Sequence, residues 1–467
     1  MKYSVILCVI VACLASGLFL FRLGNEAIQD YDEGIYAQVI NNTAQSGDFL
    51  TLKKDGPWFE KPPLYIWEAM VSEKIFSSPE LAMRLPAALA GILTVILIML
   101  IAYEISSSGY LAAASGLILT LTPAFIEAGR QIRFDVPVTA FIVFSIYCFI
   151  KGQQNKKWWL GIGIGIALGV MMKSVIGFFP LLFIILWSII YKKFDWLRNL
   201  YFWLGAFLGL AILLPWHIYE SIKYGNLFWN NYFLYHIVNR FEQNILGGGF
   251  SNFNYLHYLW VFDTPWIVLF IIGVWFLFKE RKDEKFKPFW VFALFVLFIF
   301  LIFGIAQTKL PYYLIPAFPF IALTVAFLLY RWLEKCNDFQ KQILIVAIVL
   351  IFSAGFANTI YGGFHFEKDV YLGQLFAKEE KQIGTILLSY PISEKTYTYK
   401  YLYWDTIRYY AKSRKLEVFK DDQSLDKPFF IITSRQTLDA DPLSTNIANH
   451  LTPLYVGQAL ILLEFKP

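Results

Sequence analysis

Asp30-Tyr31-Asp32-Glu33 and then Trp58-Phe59-Glu60-Lys61-Pro62-Pro63 follow directly on the first membrane-length apolar run of this chain. A sequence this apolar places ionisable groups where lipid ends only if they face water, one another or a polar ligand. How these two motifs are read therefore decides the fold and says where to look for chemistry.

The surrounding composition sets the class. Of 467 residues, 57% are hydrophobic, 19% aromatic and 16% charged, with a mean hydropathy of +0.52. Soluble domains carry about 25% charge, so the deficit predicts a polytopic α-helical membrane protein. Loop lysines account for the net charge of +5 better than a nucleic-acid surface does, so no nucleic-acid partner is expected. Cys8, Cys13, Cys148 and Cys336 show no metal-ligand spacing and imply no disulfide framework. The run from Tyr3 to Phe21 carries a signal-like Ala15-Ser16-Gly17 but stays apolar beyond it, so it reads as an uncleaved first helix.

Windows long enough to cross a bilayer fall near 3–22, 84–103, 110–127, 135–150, 158–172, 175–191, 199–216, 258–278, 288–305, 312–332 and 342–361, which makes about eleven transmembrane helices. Loops 151–157, 192–198, 279–287 and 331–341 are short and rich in Lys and Arg, hence cytoplasmic by the positive-inside rule. Segments 23–83, 128–134, 217–257 and 306–311, and everything after 362, then face the other side. The long outer loop 23–83 reads as two juxtamembrane helices. One lies over 34–46; the other opens at Pro62-Pro63, with Leu64, Trp67, Met70, Val71 and Ile75 on an apolar face. After 362 the pattern changes to a small extracytoplasmic α/β domain. Strands are expected at 385–392, 429–433 and 459–465, with helix around 399–411. The expected division is 1–361 for the transmembrane domain, with 23–83 as its catalytic outer loop, and 362–467 for the soluble domain.

Several ionisable motifs fall on the outer side. Asp32-Glu33 at a helix mouth is either a capping pair or a carboxylate that orients or deprotonates an acceptor. Prolines after Glu60-Lys61 fix the backbone so that Lys61 projects from a helix start, an arrangement suited to a phosphate; its plain alternative is a surface ion pair. Arg130 and Arg133 run against the positive-inside bias and point to an anionic partner, with Asp135 beside them as a second acid or a cap. Lys173 either snorkels or offers another cation to a lipid phosphate. His236 and Arg240 share a helix face, giving a metal ligand and a guanidinium. Lys309-Leu310-Pro311-Tyr312-Tyr313 repeats the logic of the Lys61 motif. The chain holds no Walker loop, Rossmann fingerprint or His-Glu-x-x-His, so no nucleotide cofactor is expected and a lipid-linked donor fits better.

Together, Asp32-Glu33-Gly34-Ile35-Tyr36-Ala37, Phe59–Trp67, Arg130–Asp135, Pro215-Trp216-His217 and Lys309–Tyr313 resemble the membrane glycosyltransferases of the C-type fold that use polyprenyl-phosphate sugars. The likeness is to the aminoarabinose lipid A transferases and their protein O-mannosyltransferase relatives. This resemblance implies a GT-C-like fold and an undecaprenyl-phosphate-type sugar donor. It further implies a lipid, glycan or protein acceptor, membrane lipids as surroundings, and inversion at the anomeric carbon. Asp32 would be the principal catalytic carboxylate and Asp135 a second functional acid. Lys61, Arg240 and Tyr313 would contact the donor phosphate, with Glu33, Arg130, Arg133, Lys173, Lys309 and Tyr312 as further substrate-binding candidates. Glu60 and His236 would match a divalent-metal pair. Where the family's Asp-Glu motif often continues with a basic residue, this chain has Ile35. The rival class is a transporter of lipid-linked sugars, which predicts inverted repeats or paired half-helices near the midplane.

Overall fold

The computed structural model describes residues 2–29, 31–244, 252–281, 283–284, 286–335, 337, 353, 368–391, 394–400, 405–412, 414–419, 427–443 and 445–467. Packing divides the chain into two units. One comprises Met1–Phe21, Phe59–Glu68 and Arg84–Phe364; the other comprises Arg22–Trp58, Ala69–Met83 and His365–Pro467. The loop 23–83 is thus shared between the units, and most of it groups with the C-terminal segment.

The described residues include seven helices long and apolar enough to cross a membrane, or eight if Gly109–Thr120 and Pro123–Gly129, bent by 68°, form one span. This is a multi-span membrane protein. The windows expected at 3–22, 84–103, 135–150, 199–216, 288–305 and 312–332 each hold such a helix, and 258–278 holds the shorter apolar helix Trp266–Lys279. The expected window 342–361 lies outside the described residues except for residue 353. The windows 158–172 and 175–191 form one apolar stretch, Lys156–Tyr191, which turns back sharply at Ser174. That residue has φ +47° and ψ −133°. A Cβ on Gly177 would fall 2.2 Å from the Val170 nitrogen, whereas seven residues of continuous helix rise about 10 Å.

Lipid tails are as apolar as leucine, so helices in a bilayer associate by close packing rather than by hydrophobic drive. The helices Leu160–Lys173 and Leu200–Tyr224 meet this way. A Cβ on Gly163 would sit 2.1 Å from the Gly205 carbonyl oxygen, and one on Gly205 would sit 2.4 Å from that of Leu160. Any larger side chain at either position would force the backbones apart. Within the unit, Phe318–Leu329 is buried without interruption, while the first helix is mostly exposed along its span.

In the second unit, Asp32–Ser46 forms the expected helix over 34–46 and ends at Gly47 in the left-handed conformation (φ +69°), which glycine adopts without steric cost. The helix entered through Pro62-Pro63 runs Leu64–Glu73, with Leu64–Glu68 counted in the first unit and the rest in the second. Its expected apolar face holds only in part: Met70 is buried, but Val71 and Ile75 are exposed. A five-stranded sheet of order β2-β1-β3-β5-β4 is built from β1 Lys395–Thr398, β2 Leu416–Val418, β3 Phe429–Ser434, β4 Leu451–Val456 and β5 Leu460–Phe465. β1 pairs parallel to β2 and β3; β5 pairs antiparallel to β3 and β4. The strands expected at 429–433 and 459–465 are present. The one expected at 385–392 is not: Lys368–Leu387 is helical, with Ile383 and Leu387 buried one turn apart in the core. The apolar run Ile386-Leu387-Leu388 ends that helix rather than forming a strand. Of the helix expected around 399–411, Asp405–Tyr410 is present and 401–404 lie outside the described residues.

Polar contacts join segments of the loop 23–83 to the C-terminal segment within this unit. Lys54 pairs with Asp405 at 3.0 Å, and Arg408 pairs with Asp55. The Tyr410 hydroxyl accepts from the Ile28 amide (3.1 Å) and donates to Glu80 (2.8 Å), which also pairs with Lys381 at 2.6 Å. In the sheet layer, Glu379 is buried and its carboxylate accepts from the amides of Gln458 (2.7 Å), Ala459 (3.1 Å) and Leu460 (2.7 Å). Hydrogen bonds to a charged group are worth about 1.5–3 kcal/mol each. Glu379→Ala therefore should speed amide exchange of the 457–460 turn in the full chain by about 30-fold or more, equivalent to about 2 kcal/mol, as read by hydrogen–deuterium exchange mass spectrometry.

Candidate active site

The site in the first unit is built around a backbone that the sequence holds rigid. Phe59 is buried against the rings of Tyr224 (centroids 5.1 Å) and Phe228 (5.5 Å). Pro62 and Pro63 fix the chain on the other side. Glu60 and Lys61 are held between these anchors.

Glu60 Oε1 accepts from Lys61 Nζ at 2.8 Å and from Arg240 Nη2 at 3.2 Å. Arg240 follows the π-helix Asn230–Asn239. Its carbonyl and that of Phe241 accept from the Thr308 amide (3.0 Å) and the Gln307 amide (2.9 Å). The segment carrying Tyr312 and Tyr313 is thereby tied to the arginine, and Tyr313 hydrogen-bonds Arg240 through its side chain. Asp135, in the first turn of Asp135–Gly152, is buried in an ion pair with Lys173. Lys173 Nζ lies 5.3 Å from the Tyr313 ring centroid and 5.7 Å from that of Tyr312, and the Arg133 guanidinium stacks 4.2 Å over Tyr312. Lys173 is close enough to Lys61 for the two ammonium groups to repel.

The four cations Lys61, Arg133, Lys173 and Arg240 therefore gather around the two carboxylates Glu60 and Asp135. Such a gathering of guanidinium and ammonium donors is suited to an anionic group. Burial alone would raise the Glu60 carboxyl, but the charges of Lys61 and Arg240 outweigh it and hold it at about 2. For Lys61, burial lowers the ammonium below its ordinary value and Glu60 only partly restores it. Burial also lowers His236 to about 4, despite the pull of Glu60.

Sequence reasoning placed most of these residues on one face and left Lys173 where two short spans meet; the structure gathers Glu60, Lys61, Arg133, Asp135, Lys173, His236, Arg240, Tyr312 and Tyr313 in one cluster. Arg130 is used differently. Its guanidinium donates to the carbonyls of Leu18 (2.6 Å), Phe19 (3.1 Å) and Phe21 (2.9 Å), closing the C-terminal end of the first helix. Lys309 donates to the Ala306 carbonyl. Asp32 and Glu33 belong to the second unit. There Glu33 is buried and accepts at 2.9 Å from the amide of Gln29, in the segment before the helix. Asp32 stands in the same first turn, half-buried. Tyr232 and Ser174 were missed; the aromatic spacing Phe228–Tyr232 was the available signal.

For the expected metal pair, His236 Nδ1 is buried with no hydrogen-bond partner among the described residues, beside the Glu60 carboxylate. An orphan imidazole nitrogen and a carboxylate fit two positions of a divalent-cation site. Among the described residues, no three of His, Cys, Asp and Glu come together as ligands, so a cation there would draw its other ligands from water or substrate.

Known proteins resemble this chain in sequence and fold. The family model for dolichyl-phosphate-mannose-protein mannosyltransferase matches residues 3–229. An undecaprenyl phosphate-alpha-4-amino-4-deoxy-L-arabinose arabinosyl transferase of Enterobacter sp. (strain 638) is 24% identical over 318 residues, covering 66% of this chain and 57% of that one. A protein of Aquifex aeolicus (strain VF5) is 29% identical over 343 residues, 71% of this chain and 66% of that one. The matched region thus spans less than two thirds of these curated relatives. Among solved structures, ArnT from Cupriavidus metallidurans bound to undecaprenyl phosphate superposes with a TM-score of 0.76 at 20% identity, covering 98% of this chain and 97% of that chain. The archaeal oligosaccharyltransferase AglB from Archaeoglobus fulgidus gives 0.59 at 12% identity, over 93% of this chain and 70% of that one.

Below its unfolded value near 6.5, a histidine kept neutral by burial disfavours the folded state. The stability it supports is whole above pH 6.5 and is lost as pH falls toward about 4. His236→Gln should flatten the loss of thermal stability between pH 6.5 and 4, measured by tryptophan fluorescence melting in detergent. An unchanged slope would show that His236 is not held neutral.

In fold, this chain is similar to membrane glycosyltransferases of the C-type fold, the aminoarabinose transferase ArnT and the archaeal oligosaccharyltransferase AglB among them.

Proposed function

We propose that this chain is an integral membrane glycosyltransferase that moves a sugar from a polyprenyl-phosphate carrier, such as undecaprenyl phosphate, to an extracytoplasmic acceptor: lipid A, a surface glycan or a protein. The observation that carries this reading is the convergence of Lys61, Arg240 and Lys173 with the Tyr313 hydroxyl in one largely enclosed place. Charged and hydroxyl donors so gathered suit an anionic headgroup delivered from the bilayer. A relative that binds undecaprenyl phosphate, and others that use polyprenyl-phosphate sugars, support the same donor.

In this reading an acceptor hydroxyl or phosphate oxygen attacks the anomeric carbon as the bond to the carrier phosphate oxygen breaks. A single displacement inverts the anomeric centre, and the polyprenyl phosphate leaves as an anion. Lys61, Arg240 and the Tyr313 hydroxyl receive the charge that develops on the leaving phosphate, which is where fixed donors accelerate a reaction most. Asp32 is assigned the acceptor, by the family resemblance: it takes the proton from a hydroxyl, or positions an acceptor that is already ionised. Asp135 holds Lys173 in place. A divalent cation on Glu60 and His236 would add Lewis-acid charge at the phosphate.

The distribution of basic loops supports a site on the extracytoplasmic face of the cell membrane, with 1–361 as the transferase domain and 362–467 as an outer domain. In membranes supplied with radiolabelled polyprenyl-phosphate sugar, Lys61→Ala, Arg240→Ala and Asp32→Asn should each cut transfer of label to acceptor by about 100-fold or more. Undiminished transfer by the Lys61 and Asp32 variants would sink the proposal. Movement of label across the bilayer without change of carrier would identify a transporter instead.

A further inference from the structure

The turn that presents Lys173 is conformationally unusual. Ser174, the next residue, has φ +47° and ψ −133°, a backbone region that residues with a Cβ adopt only when their surroundings impose it. Three polar groups arranged in a chain supply that constraint.

His217 Nδ1 lies 2.8 Å from the Leu213 carbonyl oxygen, and its Nε2 lies 3.1 Å from the Tyr232 hydroxyl. A carbonyl only accepts, so Nδ1 carries the proton and Nε2 of the neutral ring accepts. The Tyr232 hydroxyl accordingly donates to His217, and its oxygen is left to accept from Ser174, with which it is hydrogen-bonded. Each donor is used once, and the chain runs in one direction from Ser174 through Tyr232 and His217 to the helix backbone at Leu213. The same Tyr232 ring stacks on Phe228 (5.0 Å, interplanar 10°), and Phe228 packs edge-on against Phe59, the residue before Glu60-Lys61. Tyr232, Phe228, Trp216 and Phe59 form one buried cluster.

We propose that the Tyr232–His217 pair is a positioning hub. Through Ser174 it sets the turn that aims Lys173, and through Phe228 and Phe59 it sets the strap that aims Lys61, fixing the spacing between the two ammonium groups. The role of that spacing in holding a carrier phosphate rests on the function proposed above. Tyr232 and His217 are positioning residues and touch no reacting atom. Two like charges repel, so their separation is the geometric quantity that a loose support loses first.

The test is made on the full chain in detergent, with two readouts. The first is independent of any ligand: brief acetylation with acetic anhydride, followed by peptide mass spectrometry. Tyr232→Phe keeps the ring and removes only the hydroxyl, and should raise labelling of Lys173 by at least threefold while that of Lys193, in a distant loop, stays constant. His217→Phe should do the same, and His217→Gln, which retains an acceptor, should restore much of the protection. The second readout is titration with undecaprenyl phosphate. Each single variant should weaken binding by about tenfold, and the Tyr232→Phe/His217→Phe double variant should be no weaker than either single, because the two residues act as one unit. Unchanged labelling of Lys173, or additive losses in the double variant, would overturn the hub. Failure of the wild-type protein to bind undecaprenyl phosphate would count against the donor reading, and the labelling result would still decide the hub.

Discussion

Glu60 accepts from Lys61 and Arg240 at once, and the rest of the site is arranged so that this shared carboxylate can exist where little water reaches it. Removing one partner of a buried pair typically costs about 3–5 kcal/mol, because a charge is left uncompensated. The Glu60 carboxylate fixes two cations at once, and their charges keep its carboxyl at about 2 in a setting that would otherwise raise it. The supports follow from that need: Phe59 wedged among aromatic rings, two prolines behind Lys61, and the backbone bonds from Gln307 and Thr308 that tie down Arg240.

A second ion pair, Asp135 with Lys173, repeats the device on a different helix. Between the two pairs lie Tyr313, bonded to Arg240, and Tyr312, stacked under Arg133. The aromatic faces stabilise cations without cancelling their charge. The glycine contacts between helices Leu160–Lys173 and Leu200–Tyr224 bring Lys173 and the aromatic cluster of Trp216 into the same layer. Helix packing and site geometry are therefore one constraint.

Much of this was legible in the sequence, for physical reasons that can be named. Membrane spans announce themselves because a soluble fold rarely needs an apolar run of bilayer length, and the ionisable motifs stood out against those runs. Lys61, Arg240, Asp135 and Tyr313 were legible because each breaks the local pattern: a cation beside prolines, an outer arginine, an acid at a helix start. Arg130 broke the same pattern yet serves three carbonyls of the first helix; charge alone does not distinguish a ligand contact from a helix cap. Ser174 left no local signal and Tyr232 only its aromatic spacing from Phe228, because a strained turn and a hydrogen-bond chain belong to the tertiary structure. In the C-terminal segment, the run Ile386-Leu387-Leu388 suited strand and helix equally. The buried spacing of Ile383 and Leu387 against the sheet settled it as helix. β4 leaves little trace in the sequence because its residues alternate poorly in burial and include Pro453.

The central claim is that the buried cations recognise the carrier's phosphate rather than its isoprenoid chain. Equilibrium binding of undecaprenyl phosphate and of undecaprenol to the protein in lipid nanodiscs tests it directly, since the two ligands differ only in the headgroup. The account predicts that the phosphate binds at least about 100-fold more tightly, a difference of about 2.7 kcal/mol, and that Lys61→Ala together with Arg240→Ala removes most of that preference. Equal affinity for the alcohol and the phosphate, or a preference untouched by both substitutions, would contradict it.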